Sequence, residues 1–262
     1  MIDTAQMYYN EKHIGHTLSK LFAEGTIRRE DIFMTTKVAH PNFPGSHDKC
    51  PYVDDPSLSA YDGVSRDIDD CLRDLQMDYI DLVLIHWPGQ VGNRDAKLGR
   101  QKRAEIWEAL EDAYKAGKAR TIGVSNFESY HMDQLSETWN VRPMVNQIEC
   151  HPYLPQVELV REMQENGTQV MCYCPMGSGL LGVLEDPVIN EMSIKHFVTP
   201  AQLVLSWHIQ RGCIPVPKST NKDRIESNLK CVQVKLDNEE ISAITALAKN
   251  DARVCPNPKD IL

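Results

Sequence analysis

A succession of short apolar runs in this sequence ends, time after time, on a residue that can move a proton or hold a polar ligand. Asp3 closes the first, Lys37 lies near the end of IFMTTKV (32–38), and His86 closes IDLVLIH (80–86). Ser125 and Asn126 follow RTIGV (120–124), Gln147 lies in MVNQIE (144–149), and Tyr173 lies in QVMCYC (169–174). Lys218 stands just past GCIPV (212–216). A carboxylate, two ammonium groups, an imidazole, a phenol and two amides suit general acid–base work and the grip of a polar or anionic ligand. Singly, each has an ordinary role on a surface or in a core. Their recurrence at the ends of successive runs is the informative feature.

The elements that must position them follow from hydrophobic spacing. The runs are rich in β-branched residues and do not alternate, which predicts strands buried on both faces. Helical spacing separates them: Ile14, Leu18 and Leu21; Val64, Ile68, Cys71, Leu72 and Leu75; Trp107, Leu110 and Tyr114 with Gly117 as a C-terminal cap; and Ala201, Leu205, His208 and Ile209. Strands alternating with helices predict an α/β fold with a parallel sheet. No G-x-G-x-x-G follows any strand, so the doubly wound dinucleotide fold lacks its main signal. Polar residues at C-terminal strand ends instead fit a (β/α)8 barrel of the TIM type, whose site is built on that face. Six runs plus the stub ending at Asp3 count seven strands. The expectation is one domain over 1–262, truncated to about seven βα units, with the first strand and helix lying upstream of residue 1. Residues 39–59 and 89–103, rich in proline or polar residues, are expected to be long loops on the side of the site.

Composition narrows the function classes. The 262 residues carry a formal charge of −9, which argues against a nucleic-acid partner. No apolar run is long enough to span a membrane, and the first residues have no signal-peptide pattern. Eight cysteines, at 50, 71, 150, 172, 174, 213, 231 and 255, form no C-x-x-C pair and no zinc-type spacing. Reduced thiols, no metal and a cytoplasmic location are expected.

Seven blocks then carry a specific resemblance: DTAQMYYNE (3–11), FMTTKV (33–38), DYIDLVLIHWP (78–88), IGVSNF (122–127), VNQIECHPYLPQ (145–156), CYCPMG (172–177) and IPVPKSTNKDRIESN (214–228). In this order they resemble the aldo-keto reductase superfamily over essentially the whole chain. The resemblance implies NADPH-dependent reduction of an aldehyde or ketone by a tetrad of Asp3, Tyr8, Lys37 and His86. Tyr8 would be the general acid; the five-residue offset from Asp3 selects it over Tyr9. A free tyrosine titrates near ~10 and donates a proton reluctantly at neutral pH. A neighbouring ammonium, here Lys37 held by Asp3, would stabilise the phenolate. His86 would orient the carbonyl oxygen, and Tyr8, His86 and Trp87 would line the substrate pocket. The family pattern gives Ser125, Asn126 and Gln147 to the nicotinamide carboxamide and Tyr173 to stacking on its ring. It gives Lys218, Ser219 and Arg224 to the 2′-phosphate, and Asn228 to adenine. That phosphate set implies NADPH over NADH.

The sequence departs from the family pattern in places. Cys174 stands where serine is common and Ser227 where glutamate often contacts adenine; both are expected to retune cofactor binding. The loop after Lys37 is long, and His40, Phe43, Pro44 and Tyr52 are candidates for a second pocket wall. A monomer acting on a small-molecule carbonyl is the family expectation. The competing expectations are a non-catalytic nucleotide-binding regulatory protein and an inactive isoform that lacks the first βα unit.

Overall fold

The strand-forming runs bury both faces, so each needs cover on two sides; all five residues of one strand and all six of the next are buried. The computed structural model describes residues 1–38, 59–89, 95–250 and 252–261. Its seven strands are β1 (Ile2–Asp3), β2 (Met34–Val38), β3 (Ile80–Ile85), β4 (Ala119–Ser125), β5 (Val145–Glu149), β6 (Gln169–Tyr173) and β7 (Ile214–Val216). They stand in chain order along the sheet. Pairing is parallel from β1 to β4 and between β6 and β7, with Asp3 beside Thr35 and Lys37 beside Leu84. A doubly wound sheet would reverse its order at a switch point; sequential parallel order with intervening helices is the (β/α)8 barrel type, here with seven strands. The chain divides into two compact units, Met1–Asn146 with Pro258–Leu262, and Gln147–Asn257.

The first unit holds β1 to β4 and the helices α1 (Glu11–Ala23), α2 (Ala60–Leu75), α3 (Ala96–Lys115) and α4 (Ser129–Ser136). The α2 stripe buries Val64, Ile68, Cys71 and Leu75, and the Ser59 hydroxyl caps its start by accepting from the Asp62 amide at 3.0 Å. Helix α1 approaches the end of α2 so closely at Gly15 that a Cβ there would overlap the Asp74 carbonyl and lie 2.6 Å from the Leu75 carbonyl carbon. Backbone cannot swing aside as a side chain can. Gly15→Ala is therefore expected to destabilise the fold by about 1–3 kcal/mol despite its better helix propensity. Urea unfolding of the variant checks this, and an unchanged midpoint would contradict it.

Part of one expected loop is helical instead. Residues 89–103 were expected to be irregular, yet α3 already begins at Ala96 and Asp95 caps it by accepting from the Leu98 amide at 3.0 Å. Charged and polar residues dominate its first turns, so no apolar stripe announces it. The expected loop over 39–59 and its pocket candidates His40, Phe43, Pro44 and Tyr52 lie outside the described residues, apart from Ser59.

Helix α4 carries a fully buried histidine. The His131 ring accepts from the Glu128 amide at 3.1 Å on Nδ1 and donates through Nε2 to the Ile261 carbonyl at 2.9 Å. Both nitrogens are thus satisfied in the neutral form. Burial pulls its pKa down to about 4, a shift only partly opposed by the Ile261 bond. The unfolded chain would take up a proton near pH ~6.5 that the folded one refuses. This contribution, about 3 kcal/mol, is complete above pH ~6.5 and is lost as pH falls toward the folded value. Unfolding midpoints of the wild type and His131→Gln are expected to diverge at neutral pH and converge in acid; parallel pH curves would contradict the assignment.

The second unit holds β6 and β7 with α5 (Val157–Glu165), α6 (Pro187–Lys195), α7 (Pro200–Gln210), α8 (Lys222–Leu229) and α9 (Asn238–Thr245). Thr199 and Gln202 form a capping box at the start of α7, with Pro200 in the first turn. The expected stripe on α7 needs correction. Gln202 to His208 are all buried, whereas Ile209 is 38% exposed. The Glu149 carboxylate, at the end of β5, accepts from the Val254 and Cys255 amides at 2.5 and 3.0 Å, fixing the return of the chain. Among the described residues no helix is long and apolar enough to cross a membrane.

Candidate active site

The first unit brings the four candidate catalytic residues together. Asp3 ends β1, Lys37 lies on β2, and His86 follows β3, its amide donating to the Val38 carbonyl at 2.8 Å. Tyr8 ends a 3-10 turn, Gln6–Tyr8, that leaves β1 directly. The rest of the DTAQMYYNE motif builds that turn. Thr4 and Ala5 are fully buried, the Thr4 amide donates to the Thr35 carbonyl at 2.9 Å, and the Thr4 hydroxyl donates to Asn10 at 2.5 Å. The Glu11 carboxylate accepts from the Thr36 hydroxyl at 2.5 Å, and its burial raises its pKa. These anchors set the entry angle of α1 and hence the place of Tyr8.

Lys37 is 1% exposed, and its Nζ donates to Asp3 Oδ1 at 2.6 Å and to the Thr4 carbonyl at 2.8 Å. Burial pushes the ammonium below the usual lysine value, and the Asp3 charge opposes that shift in part. The Lys37 Nζ stands 5.2 Å from the centroid of the Tyr8 ring. The His86 ring meets Tyr8 edge-on, with centroids 5.8 Å apart and planes at 81°. Lys37 and His86 are buried, while Tyr8 keeps 47% of its surface exposed. A proton donor open to a ligand, backed by a buried cation and flanked by an imidazole, is an arrangement for protonating a developing oxyanion. Tyr9, the competing phenol, is 70% exposed with left-handed backbone.

Ser125 and Asn126 close β4 and are buried. The Asn126 side-chain amide donates to the His86 carbonyl at 3.0 Å and to the Ser125 hydroxyl at 3.2 Å. Its φ of +62° is one that asparagine tolerates better than bulky residues. Asn146 steadies this turn by donating to the Phe127 carbonyl at 2.8 Å. Trp87, the third pocket candidate, is buried. Beyond it, Arg103 on α3 donates to the Pro88 carbonyl at 2.9 Å and also bonds the Gln134 side chain. Sequence alone left Arg103 in a loop; it is a buried anchor of the segment that carries His86.

The second unit carries the other candidates. Gln147 is buried on β5 and Tyr173, half-buried, ends β6. Burial holds the Tyr173 phenol neutral, well above its ordinary pKa. The thiol of Cys174, next in the chain, accepts from the Ser178 hydroxyl at 2.9 Å, and its hydrogen bond with Cys255 draws its pKa down to about 7. Lys218 and Arg224 are exposed on either side of the start of α8, and neither makes an ion pair among the described residues. Ser219 bonds the Asn221 backbone at 3.1 Å, and Asn221 caps α8 by accepting from the Arg224 amide at 3.0 Å. Asn228 is half-buried near the end of the helix. Ser227 is engaged in packing: Gln202 of α7 donates to its carbonyl at 2.8 Å and to its hydroxyl at 3.0 Å. The fold also gathers Cys150, Cys172 and His208. No sequence spacing signals that group, which only the fold brings together.

Comparison with known proteins gives the family. The Aldo/keto reductase family model matches residues 1–249. The chain is 37% identical over 258 residues to the 9,11-endoperoxide prostaglandin H2 reductase of Trypanosoma cruzi, covering 98% of this chain and 80% of that protein. It is 36% identical to the glyoxal reductase of Bacillus subtilis over 100% of this chain and 83% of the relative. The solved structure of a Bombyx mori aldo-keto reductase in complex with NADP superposes with a TM-score of 0.81 at 33% identity, covering 97% of this chain and 80% of that one. With the tetrad assembled and the match running through nearly the whole sequence, the chain belongs to the aldo/keto reductase family.

Proposed function

We propose that this protein reduces an aldehyde or ketone to an alcohol with NADPH, Tyr8 acting as the general acid. The observation that carries the reading is the buried Lys37–Asp3 pair, with its ammonium 5.2 Å from the Tyr8 ring. Bound NADPH supplies the hydride. Tyr8 gives its phenolic proton to the oxygen that becomes the alkoxide, and the Lys37 cation stabilises the phenolate left behind. Asp3 and the Thr4 carbonyl hold the ammonium at the buried end of that pair. His86 hydrogen-bonds the substrate oxygen and fixes its direction, so the proton moves along one line.

The candidate cofactor residues fit a 2′-phosphorylated nicotinamide dinucleotide. Lys218 and Arg224 are cations with no ion-pair partner among the described residues, and the Ser219 hydroxyl lies between them in sequence. These are donors for a phosphate dianion. Tyr173, neutral and half-buried, suits stacking on an aromatic ring. The family resemblance assigns the carboxamide to Ser125, Asn126 and Gln147 and the adenine to Asn228. The same reading has a monomer acting in the cytoplasm on a diffusible small molecule, with no nucleic-acid or membrane partner.

The test is direct. The purified chain should quench its tryptophan fluorescence on adding NADPH and consume NADPH with an aromatic aldehyde. Binding without consumption across a panel of aldehydes and ketones would overturn the enzyme reading. Lys218→Ala/Arg224→Ala is expected to weaken NADPH binding by roughly tenfold to a hundredfold while leaving NADH unchanged, since each charged bond contributes about 1 kcal/mol at an exposed site. Equal weakening of both cofactors would remove the phosphate assignment.

A further inference from the structure

Three elements of the second unit converge on a sealed group of soft donors. Cys150 follows β5, Cys172 lies within β6, and His208 sits on α7; all three are fully buried. The two sulfur atoms and a ring nitrogen of His208 lie within 4.8 Å of one another. The His208 Nε2 donates to the Pro175 carbonyl at 3.1 Å, which places the neutral ring's lone pair on Nδ1. That Nδ1 is buried with no oxygen or nitrogen partner, and its side of the ring interacts with the Cys150 thiol. Reduced thiols alone are common core residues. Here two of them share their sealed space with an imidazole nitrogen that meets no oxygen or nitrogen partner, all three donors within 4.8 Å of one another.

We propose that Cys150, Cys172 and His208 form a binding site for a thiophilic monovalent cation, Cu(I). Soft sulfur donors select Cu(I) and Zn(II) over harder ions. Metal–sulfur bonds of about 2.3 Å set trigonal donors roughly 4 Å apart, so the group would tighten by less than an ångström. The number of donors decides between the two ions: the group supplies three, and structural zinc is almost always four-coordinate. Two thiolates and a neutral imidazole around Cu(I) carry one net negative charge, and Arg211 Nη1 stands 3.8 Å from the Cys150 sulfur to balance it. Zinc would require a fourth ligand, for which Cys213 beside Cys172 is the available thiol, outside the three donors gathered within 4.8 Å. Loading releases the two thiol protons to solvent and transfers no electron. The donors are 22 and 36 residues apart in sequence, so the site exists only in the folded chain, and burial makes exchange slow.

The experiment uses the full chain with Cys174 and Cys255 both changed to serine, which removes the more accessible thiols among the described residues. The protein is produced with copper, stripped of loose metal by a competing Cu(I) chelator under anaerobic conditions, and gel-filtered. The expected result is one copper per chain and an X-ray absorption shell of two sulfurs and one nitrogen. Cys172→Ala should lower retention at least tenfold, and Cys71→Ala, a buried thiol elsewhere, should not. Absence of retained copper, or a shell without sulfur, would overturn the proposal even if Cys172→Ala failed to fold. Equal retention by Cys172→Ala would do the same. Retention of Zn(II) in a three-sulfur, one-nitrogen shell without Cu(I) would replace the copper assignment with a zinc site.

Discussion

Tyr8→Phe is expected to lower NADPH-dependent carbonyl reduction by a factor on the order of 10²–10⁴, the usual contribution of a positioned general acid. The substitution removes one oxygen from a ring that is half in solvent and leaves the edge-on contact with His86 intact. Stability should therefore move by less than about 1 kcal/mol, and NADPH affinity should stay within a factor of about two. The loss should fall on kcat and kcat/KM together, because the interaction is made in the transition state. Steady-state kinetics beside a fluorescence titration reads both quantities. If Tyr8→Phe reduces aldehydes at the wild-type rate, the acid lies elsewhere, and Tyr9→Phe becomes the next variant to measure.

Lys37→Met should damage the fold as well as the chemistry. The ammonium is nearly the most deeply buried charge in the first unit and bonds both Asp3 and the Thr4 carbonyl. Removing one partner of a buried pair typically costs about 3–5 kcal/mol, because the remaining charge stays desolvated. Asp3 retains some access to solvent, so the lower end of that range is expected. Asp3→Asn/Lys37→Met removes both charges and should be more stable than Lys37→Met alone, although neither variant should turn over substrate. Urea midpoints for the two variants measure the coupling. A single variant as stable as the wild type would show that the pair is not held as described, and the argument for Tyr8 would lose its support.

The strands were largely legible in the sequence. β-branched runs marked β2 to β7 to within two residues at either end, since strands buried on both faces leave a continuous apolar signal. The positions of the candidate tetrad were legible for another reason: the DTAQMYYNE, TTKV and LIHWP blocks resemble a family pattern, and each candidate falls at a strand end or in the turn beside one. The polar start of α3 was not legible. Arg103 reads as a surface charge until the Pro88 carbonyl and Gln134 are placed around it. Ser227 likewise reads as a lost adenine contact, and only the packing of Gln202 against it gives it a local role.

The sequence by itself determined the alternation of elements, the parallel barrel class and the identity of the groups able to do chemistry. These depend on periodicity and residue type, which are local. Tertiary structure decided which groups meet. Lys37 reaches Asp3 and Thr4 across 33–34 residues of chain, and Tyr8 rather than Tyr9 faces them because buried Thr4 and Ala5 fix the turn between. The Cys150, Cys172 and His208 group is a product of tertiary structure in the same way. Side chains far apart in sequence acquire a common environment only when strand register and helix packing bring them within bonding distance.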